Sequence, residues 1–249
     1  MAASTTDELR RLLNLMVGEL NASHMGANPP ANATRTTTGR IGLEFAPGEY
    51  EQSGKLRVTR VVPLGPAAVA GIKVGDEIQA VDGVTIGAGV NFSALLDFKI
   101  DKRLPIKLAD RTVEVLPVNL ATEKELIYRA WVEENRAYVA RVSNGRLGYV
   151  HMRDMSEAAM NRLHIDLDTE NHARDGVVID LRNNNGGFVN PYAIDIFARQ
   201  AFLRMSVRER GAFSARASMA GQRALEAPTI LIVNQHSLSD SEDFAEGYR

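Results

Sequence analysis

The sequence predicts an α/β chain in three consecutive parts: an N-terminal helical segment (1–39), a β-rich middle (40–118) and a helix plus α/β core (119–249). Three observations carry this prediction. Leu9, Leu12, Leu13, Met16, Val17 and Leu20 recur at helical period near the N-terminus. Between 40 and 118, short alternating apolar runs are separated by Gly, Pro and Asp turns. From Gly145 onward, continuous apolar runs alternate with helix-like stretches, the pattern of a sheet covered on both faces.

Composition narrows the function classes. The 249 residues are 45% hydrophobic and 24% charged, ordinary globular values, with a net charge of −2. There is thus no basic field for nucleic acid or an acidic membrane. No apolar run approaches the roughly 18–20 residues of a membrane span. Cys is absent, which excludes disulfides, thiolate metal sites and a Cys nucleophile. No basic-then-apolar leader is visible, and the compartment stays open between cytoplasm and periplasm. Nothing implies a cofactor or a metal.

Each element has a local reason. Thr5 and Glu8 stand at capping-box spacing, predicting a helix over 5–20 whose apolar face needs a packing partner. Residues 26–39 are polar and Pro-bearing and read as a linker. Strands are predicted at 41–45 and 56–62. A small-residue helix, GPAAVAG, then precedes VGDEI and a strand that ends at the Asp82-Gly83 turn. This combination resembles a PDZ domain over most of its length. Gly42, Leu43, Glu44 and Phe45 lie where such domains carry a loop that receives a peptide C-terminus. Glu44 replaces the usual Gly. Peptide binding and mere shielding of a neighbouring cleft are both open. Further on, a helix is predicted over 122–143 with Thr122 as cap, a strand at 147–152 and a helix at 156–173. A buried strand at 176–181, a helix at 190–202, a strand at 204–210, a buried strand at 229–234 and a closing helix complete the core.

Three separated pieces carry the chemistry. Asn21-Ala22-Ser23-His24 follows the first helix. Asp180-Leu181-Arg182-Asn183-Asn184-Asn185-Gly186-Gly187-Phe188 follows one buried strand, and Asn234-Gln235-His236-Ser237-Leu238-Ser239-Asp240-Ser241-Glu242 follows another. With the PDZ-like insert and the stretch GRLGYVHMRDM at 145–155, the order resembles that of a tricorn-type serine protease, a group placed with the C-terminal processing peptidases. The resemblance implies a crotonase-like ββα catalytic domain with the PDZ-like part inserted before it. It implies Ser239 as nucleophile, His24 as general base and Ser23 as a residue orienting that base. It also implies an oxyanion site made by the Asp240 N–H and the N–H of Gly186 or Gly187. Peptide or unfolded-protein substrates and a homo-oligomer follow from it as well. The family's orienting Glu, downstream of the nucleophile, has no match here. The expectation is therefore a piece of a longer protease, cut at both ends. The residue types suit the chemistry, because a Ser hydroxyl needs a neighbouring base and a developing oxyanion needs N–H donors.

Plainer readings stand beside these. A serine such as Ser239 commonly caps a helix, and His24 can be a helix-end residue. Ser237 and Ser241 read as turn and cap residues. His236 reads as structural or substrate-lining, and His151 as packed. His164 and His172 miss the i, i+4 spacing of helix-borne metal ligands and read as a solvated face. At the level of function, the alternatives are a Ser–Lys peptidase whose Lys lies beyond Arg249 and a non-catalytic PDZ peptide-binding fragment.

Overall fold

The computed structural model describes residues 3–22, 24–29, 37–171, 174–198, 203–205, 213–215 and 227–249. Ser23 and His172 lie outside them. Helix α1 (Thr6–Gly18) starts as its capping box requires: Thr5 Oγ1 accepts the Glu8 N–H at 3.1 Å, and Glu8 Oε2 accepts the Thr5 N–H at 3.2 Å. Its apolar face finds no cover among the described residues, and Leu9, Leu12, Leu13, Met16 and Leu20 are exposed.

The middle of the chain forms one antiparallel sheet. Its elements are β1 (Leu43–Phe45), α2 (Pro47–Ser53), β2 (Leu56–Val61), α3 (Pro66–Val69), β3 (Glu77–Val81), β4 (Val84–Thr85), α4 (Phe92–Leu95), β5 (Leu104–Leu108) and β6 (Thr112–Val115). The order is β1-β2-β3-β5-β6, with β4 also on β3. Alternation places Leu56 and Val58 of β2, and Leu104, Ile106 and Leu108 of β5, on the buried face. Ile78, Val81 and Ala67 complete that core. Asp82 (φ 49°) and Gly83 (φ 81°) both take left-handed backbone, the requirement of the tight β3–β4 hairpin. The small-residue helix is a single turn, α3, and Ala67 is small enough to be buried completely.

Helix α5 (Leu120–Val142) begins before the predicted point. Its cap is Asn119, whose side chain accepts the Thr122 N–H at 2.9 Å; Thr122 is inside the first turn. Asn caps a helix better than Thr, and it stood upstream of the apolar periodicity. The helix lays Tyr128, Trp131, Val132 and Val139 on Tyr149 and Val178 of the second sheet.

That sheet is parallel. β7 (Leu147–His151), α6 (Glu157–Asn171), β8 (Gly176–Asp180), α7 (Asn190–Ala198), β9 (Leu203–Met205), β10 (Phe213–Ala215), β11 (Thr229–Ile232) and α8 (Asp240–Tyr248) follow in chain order. The strands line up as β11-β8-β7, and every residue of β8 is buried. Among the described residues, β9 and β10 pair with each other. Residues 199–202 of the predicted helix and 206–210 of the predicted strand lie outside the described residues. The register brings His151 and Ile232 opposite Asp180 from either side. The three strands therefore end together, and the loops that leave them share one edge. In open parallel sheets that carboxyl edge is where ligands are bound.

Candidate active site

The sheet edge collects the two motif loops, and a network of hydrogen bonds stitches them to each other. The Leu238 N–H donates to Asn184 O at 2.9 Å, and Ser237 Oγ donates to Leu181 O at 2.8 Å. Asn183 N–H donates to Asn234 Oδ1 at 3.0 Å, and Asn234 Nδ2 returns a bond to Asn183 Oδ1 at 3.1 Å. The turn role read for Ser237 fits these contacts. Ser241 corrects its expected role: it is fully buried within the first turn of α8, its hydroxyl has no partner among the described residues, and Ser239 holds the N-cap position.

Ser239 sits on a strained strand-to-helix elbow, with φ 56° and ψ −128°. A non-Gly residue there costs on the order of 1–3 kcal/mol and persists only where its surroundings impose it. Here Glu242 Oε2 accepts the Ser239 N–H at 2.7 Å, and the Leu238 bond to Asn184 holds the preceding residue. The hydroxyl is left for another partner. Ser239 Oγ lies 3.3 Å from His24 Nε2, although the two residues are 215 apart in the chain. His24 itself takes left-handed backbone (φ 61°) in a loop that Asn14 of α1 fastens at its far end. Asn14 Oδ1 accepts the Ala27 N–H at 2.7 Å, and Asn14 Nδ2 donates to Ala27 O at 3.2 Å. Asn14 escaped the sequence reading because its partner is a backbone amide that no motif marks. Ser23 lies outside the described residues.

The glycines sit against the elbow. A Cβ on Gly186 would stand 2.6 Å from Leu238 O and 2.7 Å from Ser239 Cβ, and one on Gly187 would stand 2.1 Å from Met155 O. Both positions need Gly for close backbone approach. Their amides differ. Gly186 N–H donates to Asn184 Oδ1 at 2.9 Å. Gly187 is bracketed by Met155, which donates to Gly186 O and accepts from Phe188 N–H, so its own N–H points away from Met155. Asp240 is buried, and its carboxylate accepts Val189 N–H at 2.7 Å, Asn190 N–H at 3.0 Å and Asn190 Nδ2 at 2.5 Å.

Behind the glycine loop lies a charged cluster that the sequence did not reveal. Asp180, with no exposed surface, accepts Tyr149 OH at 2.7 Å, the Arg182 N–H at 2.9 Å and Arg182 Nη2 at 2.6 Å. Burial alone would push this carboxyl up; the Arg182 and Tyr149 hydrogen bonds outweigh it and hold the group below the usual range. Arg182 also lies over the Trp131 ring, at 5.6 Å from its centroid. His151 Nε2 donates to Arg182 O at 3.0 Å, which leaves Nδ1 to accept from Tyr128 OH at 2.9 Å. Burial lowers its affinity for a proton, so His151 is a neutral, packed imidazole. His236 is exposed beside the elbow, and His164 is exposed on α6.

The predicted peptide loop is engaged from within. Gly42 (φ 74°) donates its N–H to Glu123 Oε1 of α5 at 3.1 Å, and Arg40 Nε lies 3.8 Å from Glu123 Oε2. Leu43 and Phe45 pack on the PDZ core, and Glu44 pairs with Arg60 at 2.9 Å.

Comparison with known proteins shows what the chain is similar to. Residues 146–249 match the model of peptidase family S41, and residues 32–91 match that of the PDZ domain. Tricorn protease homolog 1 of Streptomyces coelicolor is 32% identical over 255 residues, covering 96% of this chain and 23% of its own length. A tricorn protease homolog of Saccharolobus solfataricus is 34% identical over 202 residues, covering 75% of this chain and 18% of that protein. The crystal structure of the tricorn protease superposes with a TM-score of 0.78 at 25% identity, over 99% of this chain and 24% of that one. The chain thus spans about a quarter or less of the length of these relatives. It joins a PDZ domain to a peptidase family S41 core, and along nearly all of its length it is similar to tricorn-type members of that family.

Proposed function

We propose that this chain carries the nucleophile and the base of a serine-type peptidase acting on peptides or unfolded proteins. The observation that carries the reading is the 3.3 Å contact between Ser239 Oγ and His24 Nε2. In the proposed reaction, His24 takes the Ser239 proton as Oγ attacks the scissile carbonyl carbon. The carbonyl oxygen becomes an oxyanion and receives the N–H of Asp240 and of the glycine pair. Gly187 is the better donor, since the Gly186 N–H already serves Asn184. His24 then returns the proton to the leaving amine, and water, deprotonated by the same imidazole, hydrolyses the acyl-enzyme. The N-terminus of α8 favours the negative charge through its partial positive end. The contact with His24 favours this version over a Ser–Lys dyad. The carboxylate of Glu123 on Gly42 speaks against free peptide binding at the PDZ loop in this state. That loop serves in this reading as a joint between the two cores.

The test is labelling by a fluorophosphonate. Wild-type chain is expected to be labelled, Ser239→Ala not at all, and His24→Ala about 10²–10⁴-fold more slowly. Labelling that survives in Ser239→Ala refutes the assignment.

A further inference from the structure

We infer that the Asp240 carboxylate is a positioning group that holds the two oxyanion donors in register. The inference rests on Ser239 being the nucleophile, as proposed above. The residue after a nucleophilic serine is ordinarily noticed for its backbone N–H. Here its side chain has a separate set of contacts.

The donors proposed for the oxyanion belong to chain segments about fifty residues apart, yet both must lie within about 2.7–3.1 Å of one oxygen. Before the glycines, backbone and Asn contacts tie residues 181–184 to residues 234–238. After the glycines, the Asp240 carboxylate makes the connection. It takes two successive backbone N–H groups and one side-chain amide from Val189 and Asn190, all at 2.5–3.0 Å, and is 6% exposed. Asn190 opens α7, so the carboxylate also meets the positive end of that helix. One residue therefore offers its N–H to the reaction and draws in the segment that follows the other donor.

The sign of the effect separates positioning from charge. A carboxylate beside a developing oxyanion repels it, so Coulomb repulsion alone predicts that Asp240→Asn reacts faster. Asn keeps the shape, but it loses the charge that strengthens the two backbone N–H bonds and meets the positive end of α7, and its Nδ2 faces the Asn190 Nδ2 that the carboxylate had accepted. Positioning therefore predicts a slower reaction, because small misplacements of catalytic groups are costly.

The experiment measures kinact and KI for a fluorophosphonate on wild-type chain, Asp240→Asn, Asn190→Ala, the double variant and Ser239→Ala. The ³¹P resonance of each phosphonylated product is recorded as well. Expected are a 10- to 100-fold lower kinact for Asp240→Asn with KI unchanged, and a ³¹P shift displaced toward that of a solvated phosphonate. A smaller fall is expected for Asn190→Ala, with a double variant no slower than Asp240→Asn alone. If circular dichroism shows that Asp240→Asn does not fold, Asn190→Ala decides alone by the same two readouts. A folded Asp240→Asn, or in its absence an Asn190→Ala, that reacts at the wild-type rate or faster overturns the inference and leaves the nucleophile intact. A wild type that is not labelled, or a Ser239→Ala that is, overturns the nucleophile reading and the inference with it.

Discussion

At the residue scale, Ser239 shows how position can outweigh identity. Its backbone would suit Gly, and its Cβ sits 2.7 Å from where Gly186 would carry its own. Ser239→Ala should therefore fold like the wild type, whereas Ser239→Gly relieves the positive φ. The Gly variant is expected to be the more stable by roughly 1 kcal/mol, read as a melting temperature higher by about 2–4 °C. Asp180 is the second telling residue. Its carboxyl is held below the usual range in the folded state, so its contribution is present above the unfolded value near 4 and is lost as pH falls through the folded value. Asp180→Asn removes a hydrogen-bonded charge pair but leaves a partly exposed Arg182 that water can reach, so it should cost about 1–3 kcal/mol at neutral pH. The same variant should unfold with less dependence on acid below pH 4, measured by urea titration at several pH values.

At the element scale, the joints between helices and the parallel sheet decide the site. Gly148 of β7 faces α6 closely: a Cβ there would stand 2.7 Å from Glu170 Cβ. Glu170 is itself buried and paired with Arg136 at 3.2 Å. Gly148→Ala is therefore expected to destabilise the core by about 1–3 kcal/mol, seen as a lower urea midpoint with an unchanged slope. The covered sheet is legible in the sequence because β8 is buried on both faces and reads as an unbroken apolar run, Val177-Val178-Ile179; the parallel direction of its strands comes from the structure. The start of α5 differs from the predicted one because apolar periodicity marks the packed face, while the cap, Asn119, lies upstream of it. The apolar stripe of α1 lies on a helix face as its period predicts, and no described residue covers it.

At the scale of the whole molecule, the core of the antiparallel sheet and the main core of the parallel sheet share no residue among those described. One holds Ile78, Ile106 and their neighbours; the other holds Met152, Ile179 and Phe244. They meet where the Glu123 carboxylate of α5 takes the Gly42 N–H and lies beside Arg40, next to the Arg40–Val118 backbone pair that closes the β-rich part at its two ends. Trp131, the single Trp of the sequence, packs on the parallel sheet and reports on that side only. Urea unfolding followed by Trp131 fluorescence and by methyl resonances of Ile78 and Ile106 is expected to give two midpoints. Glu123→Ala strips Gly42 of its acceptor and should lower the PDZ transition by about 1 kcal/mol, against a few tenths for the Trp131 transition. Equal shifts in both would mean that the two cores unfold as one.

By itself the sequence determined the α/β class, the long helices, the buried strands and the residue types available at the three motifs, but not the short helices α2 and α4. Those properties are local: apolar period, glycine-bearing turns, and a Ser and a His in polar loops after apolar elements. The tertiary structure decided the rest. It placed His24 against Ser239 across 215 residues, turned Ser239 into a strained elbow, aimed the Asp240 carboxylate at Val189 and Asn190, and set Glu123 on the Gly42 amide. Contacts of that kind leave no trace in local patterning. They are made by single polar atoms meeting backbone groups of distant segments, and a backbone amide looks alike at every position until the fold leaves it without its usual partner.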